Sequence, residues 1–224
     1  MSKVTLVAIT KPLIDGVNTA EEFIAYAARV SNPQNQMNNE TSAKLLKYLI
    51  KHKHWSPFEQ VSLTFEIETT RDIGRQILRH RSFVFQEFSQ RYADPTQLGF
   101  VTRECRLQDP KNRQNSIEIN QSDEYEGGLS DRWYNIQDSL LDEVKWRYEW
   151  AIDNGISKEQ ARAILPEGLT MSRMYASGTL RNFLHYCQIR KGKESQREHR
   201  EIAEQCWLII EKEFPSLKEA LENE

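Results

Sequence analysis

The strictest local pattern in the chain is Val61-Ser62-Leu63-Thr64-Phe65-Glu66-Ile67-Glu68, in which apolar and polar residues alternate without a break. A period of two places Val61, Leu63, Phe65 and Ile67 on one face of a strand, so the chain must build a sheet with that face covered. Thr69 or Thr70 then caps a helix, predicted over about Arg71 to Arg79, whose first turn carries Asp72 near the positive end of the helix dipole. Further elements read from periodicity are a buried strand from Val4 to Thr10, a helix from Ala20 to Val30 and an amphipathic helix from Thr41 to His52. That last helix turns Leu45, Leu46, Leu49 and Ile50 inward. A helix from about Ser130 to Asn154 spaces Trp133, Trp146, Tyr148 and Trp150 for core or subunit packing. A tail helix from Ser195 to Phe214 has Ile202, Cys206, Ile209 and Ile210 as its stripe.

With 224 residues, no repeat and no low-complexity linker, the chain is expected to form one domain spanning residues 1–224. The apolar start from Val4 to Ile9 is too short for a signal peptide and no later run is long enough to span a bilayer, so the expectation is a cytoplasmic protein without membrane association. Cys105, Cys187 and Cys206 lack a paired spacing, which fits free thiols. His52 with His54, and His185 with Cys187, find no second pair at a zinc-site interval, so no metal is expected.

Charge is concentrated. Net charge is −3, yet Arg71 to Arg106 holds seven arginines against four acids and Arg173 to Arg200 holds seven Lys/Arg against two. Two basic segments in an otherwise acidic chain are either solvated faces or sites for small anions; a nucleic-acid surface would raise the charge of the whole domain. Arg71, Arg75 and Arg79 recur at i, i+4 and i+8, where like charges destabilise a bare helix by about 0.2–0.5 kcal/mol per pair. Either Asp72 relieves them as a salt-bridged surface stripe, or a ligand does. If residues 83–92 run extended, Phe83, Phe85, Glu87, Ser89 and Arg91 share one face, and Val84, Gln86, Phe88, Gln90 and Tyr92 the other. An acceptor, a hydroxyl and a guanidinium beside aromatic rings could hold a flat heterocycle and its phosphate.

These residues resemble the flavin-dependent thymidylate synthases, whose signature is Arg-His-Arg-x-x-Ser-x-Asn-x-x-Ser-x-Arg. The chain has Arg79, His80, Arg81, Ser89 and Arg91 in register, with Val84 and Gln86 at the first Ser and the Asn. His54-Trp55-Ser56-Pro57-Phe58-Glu59, Ala161-Arg162-Ala163-Ile164-Leu165-Pro166 and Thr179 to Arg190 match three more family segments in order, with Thr179 where the family usually has Asn. The resemblance implies an α+β fold, a mixed or antiparallel sheet packed with several helices. It implies conversion of dUMP to dTMP with methylenetetrahydrofolate as carbon donor and FAD, reduced by NADPH, as hydride carrier. Implied FAD contacts are Ser56, Arg79, His80, Arg81, Glu87, Thr179, Arg181 and His185. Implied dUMP contacts are Gln76, Ile77, Leu78, Arg79, Glu87, Phe88, Ser89, Gln90, Arg91, Arg162 and Arg190. Arg190, Ser89 and Arg91 are the implied catalytic residues, Arg190 stabilising charge on the pyrimidine. A homotetramer with active sites shared between subunits is implied as well. The competing readings are a flavin-free nucleotide-binding transferase or hydrolase, which would purify colourless, and a nucleic-acid binder, whose affinity would fall steeply with salt.

Overall fold

The computed structural model describes residues 2–221, with side chains through Lys218; Met1 and 222–224 of the expected domain lie outside the described residues. In chain order the elements are β1 (Lys3–Ile9), α1 (Ala20–Ala28), α2 (Ser42–Lys51), β2 (Ser62–Thr70), α3 (Arg71–Ile77), β3 (Val84–Glu87), β4 (Arg106–Gln108) and β5 (Ser116–Glu118). They continue with α4 (Glu124–Asp153), α5 (Lys158–Ala161), β6 (Met171–Thr179), α6 (Leu180–Arg190), α7 (Arg197–Glu213) and α8 (Pro215–Leu221). Strands β1, β2, β6 and β3 form one antiparallel sheet in that order, and β4 pairs with β5 in a separate antiparallel ribbon. The fold is therefore α+β, with the sheet antiparallel throughout.

The alternating segment is β2, a central strand, and its Leu63, Phe65 and Ile67 are each at most 1% exposed. Leaving water contributes about 1.5–3 kcal/mol for each such side chain. Helix α6 lies against this face, with Phe183 edge-on to Phe65 at 4.8 Å between centroids. Ile202, Ala203, Cys206 and Ile210 of α7 complete the same core. Thr19 closes a reciprocal capping box with Glu22 at the start of α1.

Two features of the sheet place the site. Thr70 ends β2 at the N-cap position of α3, its hydroxyl bonded to the Asp72 carboxylate rather than to a helix amide, and Thr179 ends β6 and caps α6 through the Asn182 amide, so each helix starts without a loop. Because β2 and β6 are antiparallel, these helices set out from opposite ends of the sheet, and their C-terminal ends meet at His80 and Arg190.

Four expectations need correction. The first strand is not a buried one: β1 is an edge of the sheet in which only Val4 is buried and Val7 is 47% exposed. The extended run stops at Glu87: Tyr92 and Ala93 both donate to the Ser89 carbonyl, so 89–92 is a turn. The long helix begins at Glu124, six residues before Ser130, because Asp123 caps it through the Tyr125 and Glu126 amides. Of its aromatic residues only Tyr148 is buried, while Trp133, Trp146 and Trp150 are 40–59% exposed. The β4–β5 ribbon was not expected at all; the Asp109 carboxylate, bonded to Asn115 and the 111 and 112 amides, ties off its loop.

Candidate active site

The arginine stripe divides into two parts. Arg71 is only 7% exposed and is neutralised by Glu87 at 3.6 Å and Glu167 at 3.3 Å, and Glu167 reaches Arg75 at 3.3 Å as well. Partial burial pushes the Glu167 carboxyl up, but the two guanidinium groups outweigh it and hold it below the usual carboxylate range. Asp72, expected to relieve this stripe, instead binds Arg103 at 2.8 Å. Arg79 and Arg81 remain: both are exposed, and neither forms an ion pair among the described residues. Two unneutralised guanidinium groups flanking His80 are suited to a pyrophosphate or phosphate.

His80 is the hinge of the site. Its Nε2 accepts from Arg190 Nε at 2.9 Å. Burial, then the Arg190 charge and His185, lower its pKa to about 4, so at neutral pH it is an uncharged acceptor rather than a second cation against Arg190. Behind it, Tyr186 stands edge-on at 4.9 Å, and the Tyr186 hydroxyl lies 3.1 Å from Nε2 of the fully buried His199. His199 Nδ1 lies 3.2 Å from Gln76 Oε1. Burial lowers the His199 pKa to about 3, with Arg190 and His80 adding to it. Tyr186 and His199 had no sequence signal of their own, since their partners lie up to 123 residues away.

Beside the turn that follows Arg81, a cavity of about 280 Å³ is lined by Trp55, Ser82, Arg181, Asn182, Leu184, His185 and Gln188. Asn182 Nδ2 donates to the Ser82 carbonyl at 2.9 Å, fixing the turn after Arg81 against α6. Arg181 is ion-paired with Glu59, Ser56 opens the neighbouring 3-10 turn, and Thr179 spends its hydroxyl oxygen on the Asn182 amide as a helix cap. Arg79, His80, Arg81, Arg181, His185 and Arg190 therefore gather around the meeting of α3 and α6. The unneutralised Arg79 and Arg81 are groups that the phosphates of a flavin dinucleotide would need, and the cavity takes only part of such a ligand. The volume falls below the roughly 300–1,000 Å³ of a pocket that encloses such a ligand alone.

The remaining expected residues are more dispersed. Ile77 is buried core and Leu78 half-buried. Glu87 accepts from Ser172 Oγ at 3.1 Å and faces Arg71. Phe88 donates its amide to Arg173, Gln90 is buried, and Ser89 Oγ accepts from the Arg91 amide at 3.4 Å. Arg91 pairs with Glu159 of α5 at 3.4 Å, and Arg162 starts the following 3-10 turn. Among the described residues no hydrogen bond joins Arg91 or Arg162 to His80 or Arg190. A larger cavity, about 590 Å³ beside the β4–β5 ribbon, is lined by Arg106, Arg113, Arg197 and Arg200 with Glu104 and Glu118 and contains none of the expected residues. No group of three or more His, Cys, Asp or Glu suited to a metal occurs among the described residues.

Residues 12–216 match the family model described as thymidylate synthase complementing protein. The chain is 49% identical to a probable flavin-dependent thymidylate synthase of Paramecium bursaria Chlorella virus 1 over 97% of both chains. It is 44% identical to a flavin-dependent thymidylate synthase of Synechocystis sp., over 98% of this chain and 99% of that one. Its fold matches the crystal structure of a UMP/dUMP methylase, PolB from Streptomyces cacaoi bound with 5-Br dUMP, with a TM-score of 0.78, 25% identity and coverage of 100% and 95% of the two chains. The chain thus belongs to the thymidylate synthase complementing protein family, the flavin-dependent thymidylate synthases.

Proposed function

We propose that the junction of α3 and α6 is where this enzyme converts dUMP to dTMP, with the neutral His80 holding the Arg190 guanidinium against the pyrimidine. That single contact carries the reading: it fixes Nε of Arg190 and leaves the outer nitrogens free for a carbonyl or a developing negative charge on uracil. FAD, when bound and reduced by NADPH, supplies the hydride, and methylenetetrahydrofolate supplies the carbon. Arg79 and Arg81 bind the FAD phosphates, Arg181, His185, Ser56 and Thr179 line its approach, and Glu87 keeps Arg71 in place beneath. Gln76, Arg91, Ser89, Gln90 and Arg162 hold the nucleotide, with the backbone of 77–79 and 88 beside it.

Two of the three cysteines, Cys187 and Cys206, support a route without thiolate attack. Burial pushes the Cys187 thiol up to about 12 and raises that of Cys206 too, so neither supplies a nucleophile at neutral pH. The relative that was crystallised with 5-Br dUMP supports the nucleotide assignment.

Assembly is the second part of the proposal. The undersized cavity, the unneutralised Arg79 and Arg81, and the exposed tryptophans of α4 support a homotetramer whose sites are completed by neighbouring subunits. Three free cysteines support a cytoplasmic location, and no described helix is long and apolar enough to cross a membrane.

Arg190→Ala tests the catalytic assignment. The variant is expected to fold, retain yellow flavin and form no dTMP from dUMP, methylenetetrahydrofolate and NADPH; normal turnover would remove Arg190 from the mechanism.

A further inference from the structure

A chain of hydrogen bonds behind the site has only one self-consistent polarity, and that polarity begins at Glu198. This carboxylate lies 3.2 Å from Arg103 and is ion-paired with Arg106. Burial raises its pKa, but bonding to its own backbone amide and the two arginines more than reverse this, so it is ionised and can only accept. Gln196 must therefore offer it the amide nitrogen, at 2.9 Å, which turns Gln196 Oε1 toward Gln76. Gln76 meets that oxygen with its own nitrogen at 2.8 Å, so its Oε1 is what faces His199 at 3.2 Å. His199 must then carry its proton on Nδ1, leaving the Nε2 lone pair to accept from the Tyr186 hydroxyl at 3.1 Å. Neutrality of the ring, enforced by burial, is what allows it to donate on one side and accept on the other.

Two members of this chain, Gln76 and Tyr186, touch the site assigned above, and the inference rests on that assignment. The amide of Gln76 is locked, with one N–H that bonds nothing among the described residues. Tyr186, with its hydroxyl tied down, stands as a fixed wall against His80, which orients Arg190. We propose that His199 is a positioning residue for thymidylate synthesis: through Nδ1 it fixes the Gln76 amide for the nucleotide, and through Nε2 and Tyr186 it holds the His80–Arg190 pair.

The two arms can be separated. His199→Phe removes both, His199→Asn keeps an amide donor where Nδ1 stands but loses the reach to Tyr186, and Tyr186→Phe removes only the second. In steady-state assays of the flavin-loaded enzyme, His199→Phe is expected to raise the KM for dUMP about tenfold, the scale of one ordinary hydrogen bond, and to lower kcat. His199→Asn should bring that KM back to within about threefold of wild type while kcat stays low. Tyr186→Phe should lower kcat and leave KM near wild type, and it carries the test if His199→Phe fails to fold. A role confined to stability would reduce the melting temperature of all three without dividing KM from kcat. Wild-type KM and kcat in folded His199→Phe would overturn the proposal, as would equal KM values for the Phe and Asn variants, or an unchanged kcat in Tyr186→Phe. Gln76→Ala, assayed alongside, tells the two failures apart. An unchanged dUMP KM there overturns the placement of the nucleotide at Gln76 and the His199 proposal with it; a raised KM with silent His199 variants overturns the latter alone.

Discussion

His80 and His199 are the residues whose protonation the fold opposes most. Their pKa values of about 4 and about 3 lie below the ordinary 6.5, so below pH 6.5 the unfolded chain takes up protons that the native one refuses. Stability contributed this way is complete above pH 6.5 and is lost as pH falls toward 4. Between pH 6.5 and 5, above most carboxylate titration, the loss is at most about 1.4 kcal/mol per pH unit for each histidine. Urea melts at pH 7, 6 and 5 should show this slope, and His199→Phe should reduce it by about half; a pH-independent wild type would contradict the neutral pair. The same two residues mark the limit of sequence reading. His80 sits inside a recognisable run of charged residues, whereas His199 and Tyr186 acquire their role only when α7 packs on α6, a contact that nothing in their neighbours announces.

Among the elements, β2 was legible because the alternation of its side chains is dictated by a buried and an open face, and α3 because Thr70 and Asp72 announce its start. The Arg79 to Arg91 run was legible as chemistry but not as shape, since the turn at 89–92 is signalled by Ser89 alone, which takes the Tyr92 and Ala93 amides on its carbonyl and the Arg91 amide on its hydroxyl, with no Gly, Pro, Asn or Asp in the turn. Helix α4 started earlier than periodicity indicated because Gly127 and Gly128, each costing about 1 kcal/mol, are outweighed by the Asp123 cap and two first-turn glutamates. Three-residue β4 and β5 carry too little alternation to be read at all. The β6–β3 joint gives a sharp test at this scale. A Cβ on Gly178 would stand 2.5 Å from Phe83 Cδ1, and Phe83 stacks on Phe183 at 4.3 Å between centroids. Gly178→Ala should cost about 1–3 kcal/mol by overpacking and, by shifting the Arg79–Ser82 turn, lower the flavin content. Denaturation midpoints and the visible absorbance per chain measure both effects.

Over the whole molecule, the core beneath the sheet orients α3 and α6, and α4, about 45 Å long, packs Val144, Tyr148 and Ala151 with Ala161 and Leu165 in a smaller core of its own. Beside its buried stripe, α4 carries an open flank on which Tyr125, Ile136, Trp146 and Trp150 are each more than half exposed. Such a flank is costly to leave in water, and covering it with a second copy would bring further groups toward Arg79 and Arg81. Light scattering should therefore give the mass of four chains, and replacing Trp146 and Trp150 together by Glu should shift it to smaller species and reduce dTMP formation with it; an unchanged mass would remove α4 from the interface. Nucleotide and flavin are assigned to one junction, so each must sense the other. The direct measurement is the visible spectrum of the purified chain during a dUMP titration: the account predicts bound flavin whose bands shift saturably on adding dUMP, and a colourless protein, or a flavin spectrum indifferent to dUMP, would contradict it.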